Sequence, residues 1–277
     1  MQVKRNGPGR PPVFNWLRIV AVIIMTLYLF DAVWYAKVLI DLLNINVTLN
    51  YRSRRFSRSP SVDEIYKIYQ KIPESYLYAI LLTLDEWARK RALKNLGLVC
   101  DICFFDSSAE SEHTKEEALI AGKTRLRTSK LDYTVAVRFF TNTVISVIPG
   151  TPKNINEYYE LLRRVGINTV VVDGYFRTYM NSEMAAEYGI CFITRSKKGS
   201  RVWRYNKRYG MRKLVEILFG DLWMRSKRRL FGRGRASRYK KLLLRLIGHN
   251  FRAYERVVAL ERLFVRVSIL EEAYLSI

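Results

Sequence analysis

The chain has 277 residues, long enough for one substantial core and a smaller satellite domain. Its hydrophobic content of 49% and aromatic content of 13% exclude a globally disordered polymer. A formal charge of +23 repels itself in a folded chain, so the composition calls for a polyanionic partner. Nucleic acid fits, because neutralising phosphates releases counterions; a generic basic protein, such as a ribosomal one, carries the same bulk signature.

The tail through Pro12, KRNGPGRPP, is basic and rich in Gly and Pro. It reads as a disordered tail or, through Gly9-Arg10-Pro11, as a flat segment for an A·T-rich minor groove. Ile19 to Phe30 carries no charge but is bracketed by Arg18 and Asp31. That run is shorter than the roughly 20 apolar residues needed to span a bilayer. One or two buried helices up to about Leu43 are expected, with a membrane anchor as the alternative. No small-residue cleavage site closes the run, so a cleavable signal is not expected. After the basic loop YRSRRFSRSP, Ser61 and Glu64 predict a capping box. The helix it opens would place Tyr66, Ile68, Tyr69 and Ile72 on its apolar face. A second helix is predicted from Tyr76 to Leu96, ended by Gly97.

Beyond Gly97 the pattern changes. Leu98 to Phe105 reads as a strand, and the polar stretch from Ser107 to Lys130 as a loop or short helix. TVAVRFF and VISVI predict a pair of strands around Thr141-Asn142-Thr143. Asn154 and Glu157 start a helix that ends near Gly166. NTVVVD is β-branched and apolar, as in a strand buried on both faces. A helix over Ser182 to Tyr188, the strand ICFIT, and helices over Tyr209 to Lys227 and Tyr239 to Leu270 complete an α/β order. Cys100, Cys103 and Cys191 are too few for a disulfide framework. Cys100 and Cys103 would face opposite sides of a strand, and His113 and His249 alone leave a zinc site short of ligands, so buried thiols are expected.

Two acids follow apolar strands, Asp106 after CFF and Asp173 after NTVVV. In open α/β sheets, ligand sites gather at the carboxyl ends of strands. Glu216 lies in a predicted helix with Tyr209 and Arg212 on the same face, and Arg212 can steady its carboxylate. Three carboxylates brought together repel unless a cation neutralises them, and hard oxygens suit Mg²⁺ or Mn²⁺. Two such ions about 4 Å apart suit phosphodiester cleavage and strand transfer. Taken singly, each acid has a plainer role: an Asp at a strand end is commonly a turn former or cap, and Glu216 with Arg212 an ordinary helix ion pair.

From about Val99 to Arg256 the sequence resembles the DDE transposases of bacterial and archaeal insertion sequences, which have a ribonuclease H-like core. The resemblance lies in FFDSS, in DYTVAVRFF with VISVI and GTPKNINE, in VVVDGYF, and in YGMRKLVEILFGDLW, which is similar to the Tyr-x2-Arg-x3-Glu portion of the Tyr-Arg-Glu-Lys signature. RYKKLLLRLIGHNFRAY resembles the closing basic-to-apolar helix. The resemblance implies that Asp106, Asp173 and Glu216 bind Mg²⁺ or Mn²⁺, with Asp101 the alternative first acid. It also implies that Tyr209 and Arg212 contact DNA phosphate. The signature Lys is replaced by Trp223, with Lys227 one turn further on. Trp223 could stack on a flipped base, or pack in the core. Lys227, Arg228, Arg229, Arg233 and Arg235 lie in RSKRRLFGRGRASRYKK, where cations interleave with Gly, Ser and aromatics as in a loop that tracks a DNA backbone.

The expected architecture is therefore an α/β, ribonuclease H-like catalytic core over residues 96–277, preceded by an all-helical, basic-tailed DNA-binding or dimerisation region over residues 1–95. The expected partners are double-stranded DNA at element ends and target, and a second copy of the chain; the expected location is the cytoplasm. A non-catalytic DNA-binding relic and a membrane-anchored basic protein are the rival readings.

Overall fold

The computed structural model describes residues 15–30, 33, 35–43, 45, 59–111, 130–194, 216, 219–220 and 235–275. The chain divides into two compact units, Met1–Pro73 and Glu74–Ile277.

The first unit is helical. Helix α1 (Trp16–Phe30) buries Ile19, Val20, Ile23 and Leu27 at helical spacing. Thr26 is buried in the same stripe and donates to the carbonyls of Val22 and Ile23, each at 2.9 Å, so its hydroxyl is satisfied within the helix. Helix α2 (Tyr35–Leu42) carries Asp41, which receives Lys37 and, at 2.6 Å, the Ser59 hydroxyl. Helix α3 (Val62–Lys71) opens with the expected capping box: Ser61 accepts from the Glu64 amide at 3.2 Å, and the Glu64 carboxylate from the Ser61 amide at 2.8 Å. Its buried stripe is Ile65, Tyr69 and Ile72. Tyr66, expected on that face, stands 38% exposed, because it lies a quarter-turn round from Ile65. Among the described residues no helix is long and apolar enough to cross a membrane.

The second unit begins with α4 (Glu74–Leu96), closed by Gly97 at φ +64°, where a side chain would be strained. The sequence drew the domain boundary at 95/96; the division falls earlier because α4 packs on the sheet and on the last helix. The sheet has five strands: β1 (Ile102–Ser111), β2 (Lys130–Arg138), β3 (Val144–Pro149), β4 (Thr169–Val172) and β5 (Cys191–Thr194). Their order is β3-β2-β1-β4-β5. The β1–β2 and β2–β3 pairs are antiparallel, the β1–β4 and β4–β5 pairs parallel. This mixed α/β arrangement is consistent with a ribonuclease H-like fold.

The bounds of four elements differ from expectation. β1 starts at Ile102 rather than Leu98 and continues past Asp106, because β2 pairs with it as far as Ser111↔Lys130. Residues 107–111 and Lys130 are thus strand where a loop or short helix was expected. An antiparallel ladder satisfies the backbone whatever the side chains, and the Ser107 and Thr134 hydroxyls pair across it at 2.7 Å. The helix expected from Asn154 is a short 3₁₀ turn (Asn156–Tyr158) leading into α5 (Tyr159–Arg164). Helix α6 (Tyr179–Glu187) begins three residues before Ser182, since Thr178 caps it by accepting from the Asn181 amide at 3.1 Å. The last helix, α7 (Arg235–Leu275), overruns the expected Tyr239–Leu270 at both ends.

One face of the sheet forms a core in which Cys103, Phe105, Ala136, Val170 and Val172 meet Tyr159, Leu162, Phe176 and Ala185. Each Val, Leu and Phe side chain among them contributes about 1.5–3 kcal/mol of burial. The outer edge of β3 is closed by side chains: Asn250 of α7 bonds both the amide and the carbonyl of Val144. The hydroxyls of Tyr78 and Tyr239 meet each other, and both reach the Val147 carbonyl. Cys100 and Cys103 are buried thiols, as expected, and burial pushes both up from the usual thiol range. Cys191 is exposed.

Candidate active site

The sequence places an Asp just past the shared stretch of two strands, and the register shows how they meet. Phe105 of β1 pairs with Val172 of β4, the last pair of that parallel ladder. The next residues are Asp106 and Asp173. Side chains alternate faces along a strand. Because Phe105 and Val172 enter the core cluster, both Asp residues emerge on the opposite face, at neighbouring positions. Each is only partly buried. Asp106 Oδ1 accepts from the Ser107 amide at 2.9 Å, and Asp173 Oδ1 from the Gly174 amide at 2.6 Å, so local backbone orients one oxygen of each. The Asp173 bond caps a 3₁₀ turn (Gly174–Phe176), so the residue is also the turn former that a strand-end Asp commonly is.

Glu216 lies in helical backbone and is exposed. Phe219, one turn later, is buried, and its ring meets that of Tyr133 at 6.1 Å between centroids. Tyr133 pairs with Ser108, two residues beyond Asp106 on the same strand and therefore on the same face. Phe219 thereby packs on the face of the sheet that bears the two Asp residues. Among the described residues, however, no three His, Cys, Asp or Glu side chains lie together as a metal-holding group. The structure brings Asp106 and Asp173 to adjacent positions and leaves Glu216 outside a closed ligand set.

Asp101 is one residue before β1, and its carbonyl accepts from the amides of Asn168 and Thr169, where β4 begins. It sits at the opposite end of the strands from Asp173. Arg235 is exposed at the start of α7. Tyr209, Arg212, Trp223, Lys227, Arg228, Arg229 and Arg233 lie outside the described residues. A neighbour that the sequence reading passed over is Thr194, the last residue of β5, whose hydroxyl donates to the Asp173 carbonyl at 3.4 Å. Its only sequence signal is a hydroxyl closing an apolar strand, as Ser107 follows Asp106.

No protein-family model matches the chain, and no curated protein matches it. Among solved structures, a chain of the simian T-cell lymphotropic virus intasome in complex with PP2A regulatory subunit B56 gamma is similar at 12% identity, over 66% of this chain and 64% of that one, with a TM-score of 0.26. The chain therefore spans just under two thirds of that neighbour. The Mos1 transposase paired-end complex with left transposon end is similar at 10% identity, over 94% of this chain and 82% of that one, with a TM-score of 0.25.

Proposed function

We propose that this chain is a DNA transposase of an insertion sequence, which nicks DNA at element ends and joins the resulting 3′-hydroxyl to target DNA. The observation that carries the reading is the adjacency of Asp106 and Asp173 on one face of the sheet, at the carboxyl end of β4. Its context supports it: a charge of +23, a strand order consistent with a ribonuclease H-like fold, and the ordered motifs through YGMRKLVEILFGDLW.

Two carboxylates at neighbouring positions repel, and their hard oxygens fit a divalent cation such as Mg²⁺ or Mn²⁺. Bound there, such ions would supply Lewis-acid stabilisation of the attacking and leaving oxygens. Asp106 holds its place through its pairing with Val135 of β2 and the Ser107 amide, and Asp173 through the Gly174 amide just past β4. Glu216 is proposed as the third ligand, contributed by its helix on assembly with DNA. Tyr209, Arg212, Lys227, Arg228, Arg229, Arg233 and Arg235 are proposed to hold the phosphate backbone. Residues 1–95 are proposed to read or hold the element ends, and a second copy to complete the working assembly.

The testing experiment is nicking of a supercoiled plasmid carrying this gene with its native flanks. Purified protein is compared with Asp173→Asn in Mg²⁺, Mn²⁺ and EDTA. Metal-dependent cuts at the flanks by wild type alone are expected. If both proteins bind the DNA equally and neither cuts in either metal, the chain is a DNA-binding relic and the catalytic reading is wrong.

A further inference from the structure

On α4, Trp87, Lys90, Arg91 and Lys94 recur at helical spacing and share one face. With Asn95, and with Tyr254 of α7, they line an open groove of about 370 Å³. The six lining side chains carry three positive charges and no negative one. Trp87 is 53% exposed although its ring lies 6.3 Å from that of Tyr254, tilted by 56°. The indole thus rests against the Tyr254 ring while about half of its surface faces solvent.

The groove wall is braced. The Arg91 guanidinium stands 5.9 Å from the Tyr254 ring centroid and donates to its hydroxyl at 3.0 Å. The Glu261 carboxylate accepts from Arg91 and, at 2.8 Å, from Asn95, so its charge is spent within the wall. Lys90 and Lys94 are one helical turn apart. Lys90 meets Glu86 at 2.7 Å, but both side chains are more than half exposed. A solvated pair of that kind is worth little and yields readily to a stronger anion.

An open aromatic surface flanked by cations fits a strand whose bases are unstacked and whose backbone is anionic. A duplex hides its base faces, and an apolar partner would leave the cations desolvated. We propose that this groove binds single-stranded nucleic acid, with a base stacked on Trp87 and the adjoining phosphates on Lys90 and Lys94. Arg91 is a positioning residue that holds Tyr254 beside the stacked base. The inference requires nothing of Asp106, Asp173 or Glu216 and stands apart from any catalytic role.

The test uses the full chain and an oligothymidine bearing one 5-iododeoxyuridine, with a duplex of equal length as comparison. Photocross-linking of the unaltered protein should attach the strand to the segment containing Trp87 or to that containing Tyr254. By anisotropy, Trp87→Ala should weaken single-strand binding about 10-fold and Trp87→Phe restore most of it. The double change Lys90→Gln with Lys94→Gln should reduce the salt slope of single-strand binding by about 1.4. These two lysines are exposed, so that variant keeps the test open if Trp87→Ala does not fold. Duplex affinity should change less than about twofold in the Trp87 variants, since duplex presents no base face to stack. Cross-links confined to other segments, or equal losses for single strand and duplex, overturn the proposal.

Discussion

The Arg138 guanidinium and the Asp85 carboxylate form a two-point ion pair, at 2.8 and 2.7 Å, with neither side chain more than 1% exposed. Arg138 ends β2 and also donates to the carbonyls of Cys100 and Val165, while Thr143 donates its hydroxyl to Asp85. One buried charge pair therefore joins α4, the entry to β1, the end of α5 and the β2–β3 turn. Such a pair need not exceed a hydrophobic substitute in stability, because both ions are desolvated. Breaking it is another matter.

Replacing Asp85 with Ala strands the guanidinium without a counter-charge. We expect a loss of about 3–5 kcal/mol, read as a fall in the urea midpoint at constant slope. The double change Asp85→Leu with Arg138→Met should recover much of that loss, since no charge is then left buried. A single variant as stable as wild type would remove the pair from any structural role.

The acid pair is legible in the sequence because its signal is local. Each Asp closes an apolar run, and NTVVV is so rich in β-branched residues that a buried strand is hard to avoid. The Asp85–Arg138 pair is not legible. In TVAVRFF an Arg reads as a solvent-facing position, and its partner lies 53 residues earlier on a helix whose faces are ambiguous. The extension of β1 through SSAES was missed for a related reason: its strand character comes from β2, not from its own propensity. Glu216 is an intermediate case, since its helix follows from apolar spacing while its distance from the two Asp residues depends on tertiary packing.

Asn250 closes the free edge of the sheet. Its side-chain oxygen accepts from the Val144 amide at 2.7 Å, and its amide donates to the carbonyls of Val144 at 2.8 Å and Leu81 at 3.2 Å. It thus replaces the next strand at that point. Asn250→Ala leaves a buried amide and two carbonyls short of partners, at about 1–3 kcal/mol for each group left unsatisfied. Denaturant unfolding should show a loss of at least about 2 kcal/mol, with faster hydrogen exchange at Val144 as the local signature. Unchanged exchange there would mean that another group closes the edge.

Alkaline pH should weaken the unit that bears the sheet. Burial pushes the Tyr78 and Tyr239 phenols above their ordinary value of 10.0, and burial with the Glu157 charge raises Tyr158 to about 12. Burial raises the Cys100 and Cys103 thiols in the same sense from 9.0. A raised folded-state value means that the folded chain holds the proton more tightly than the unfolded one. The associated stability is complete below the unfolded values and is lost as pH rises through the folded ones. The urea midpoint should fall from about pH 9 to about pH 12, less steeply in Tyr158→Phe. A midpoint constant to pH 12 would contradict these environments.

The choice between Asp101 and Asp106 as first acid follows from the ladder. The Asp101 carbonyl binds the amides that open β4, whereas Asp106 follows the pair Phe105↔Val172 that closes it. Five residues of strand separate them, about 16 Å at strand rise, so only Asp106 stands next to Asp173. If that pair is the centre of metal-dependent cleavage, Asp106→Asn should cut plasmid nicking about 100-fold or more, a larger loss than altering an outer-shell residue brings. DNA binding by the variant should persist, because a neutralised carboxylate only lessens repulsion of phosphate. Asp101→Asn should nick within about twofold of wild type, since its backbone carbonyl, not its side chain, is what meets β4. The reverse pattern, with Asp101→Asn inactive and Asp106→Asn unaffected, would move the reaction to the other end of the sheet and take Asp173 out of it.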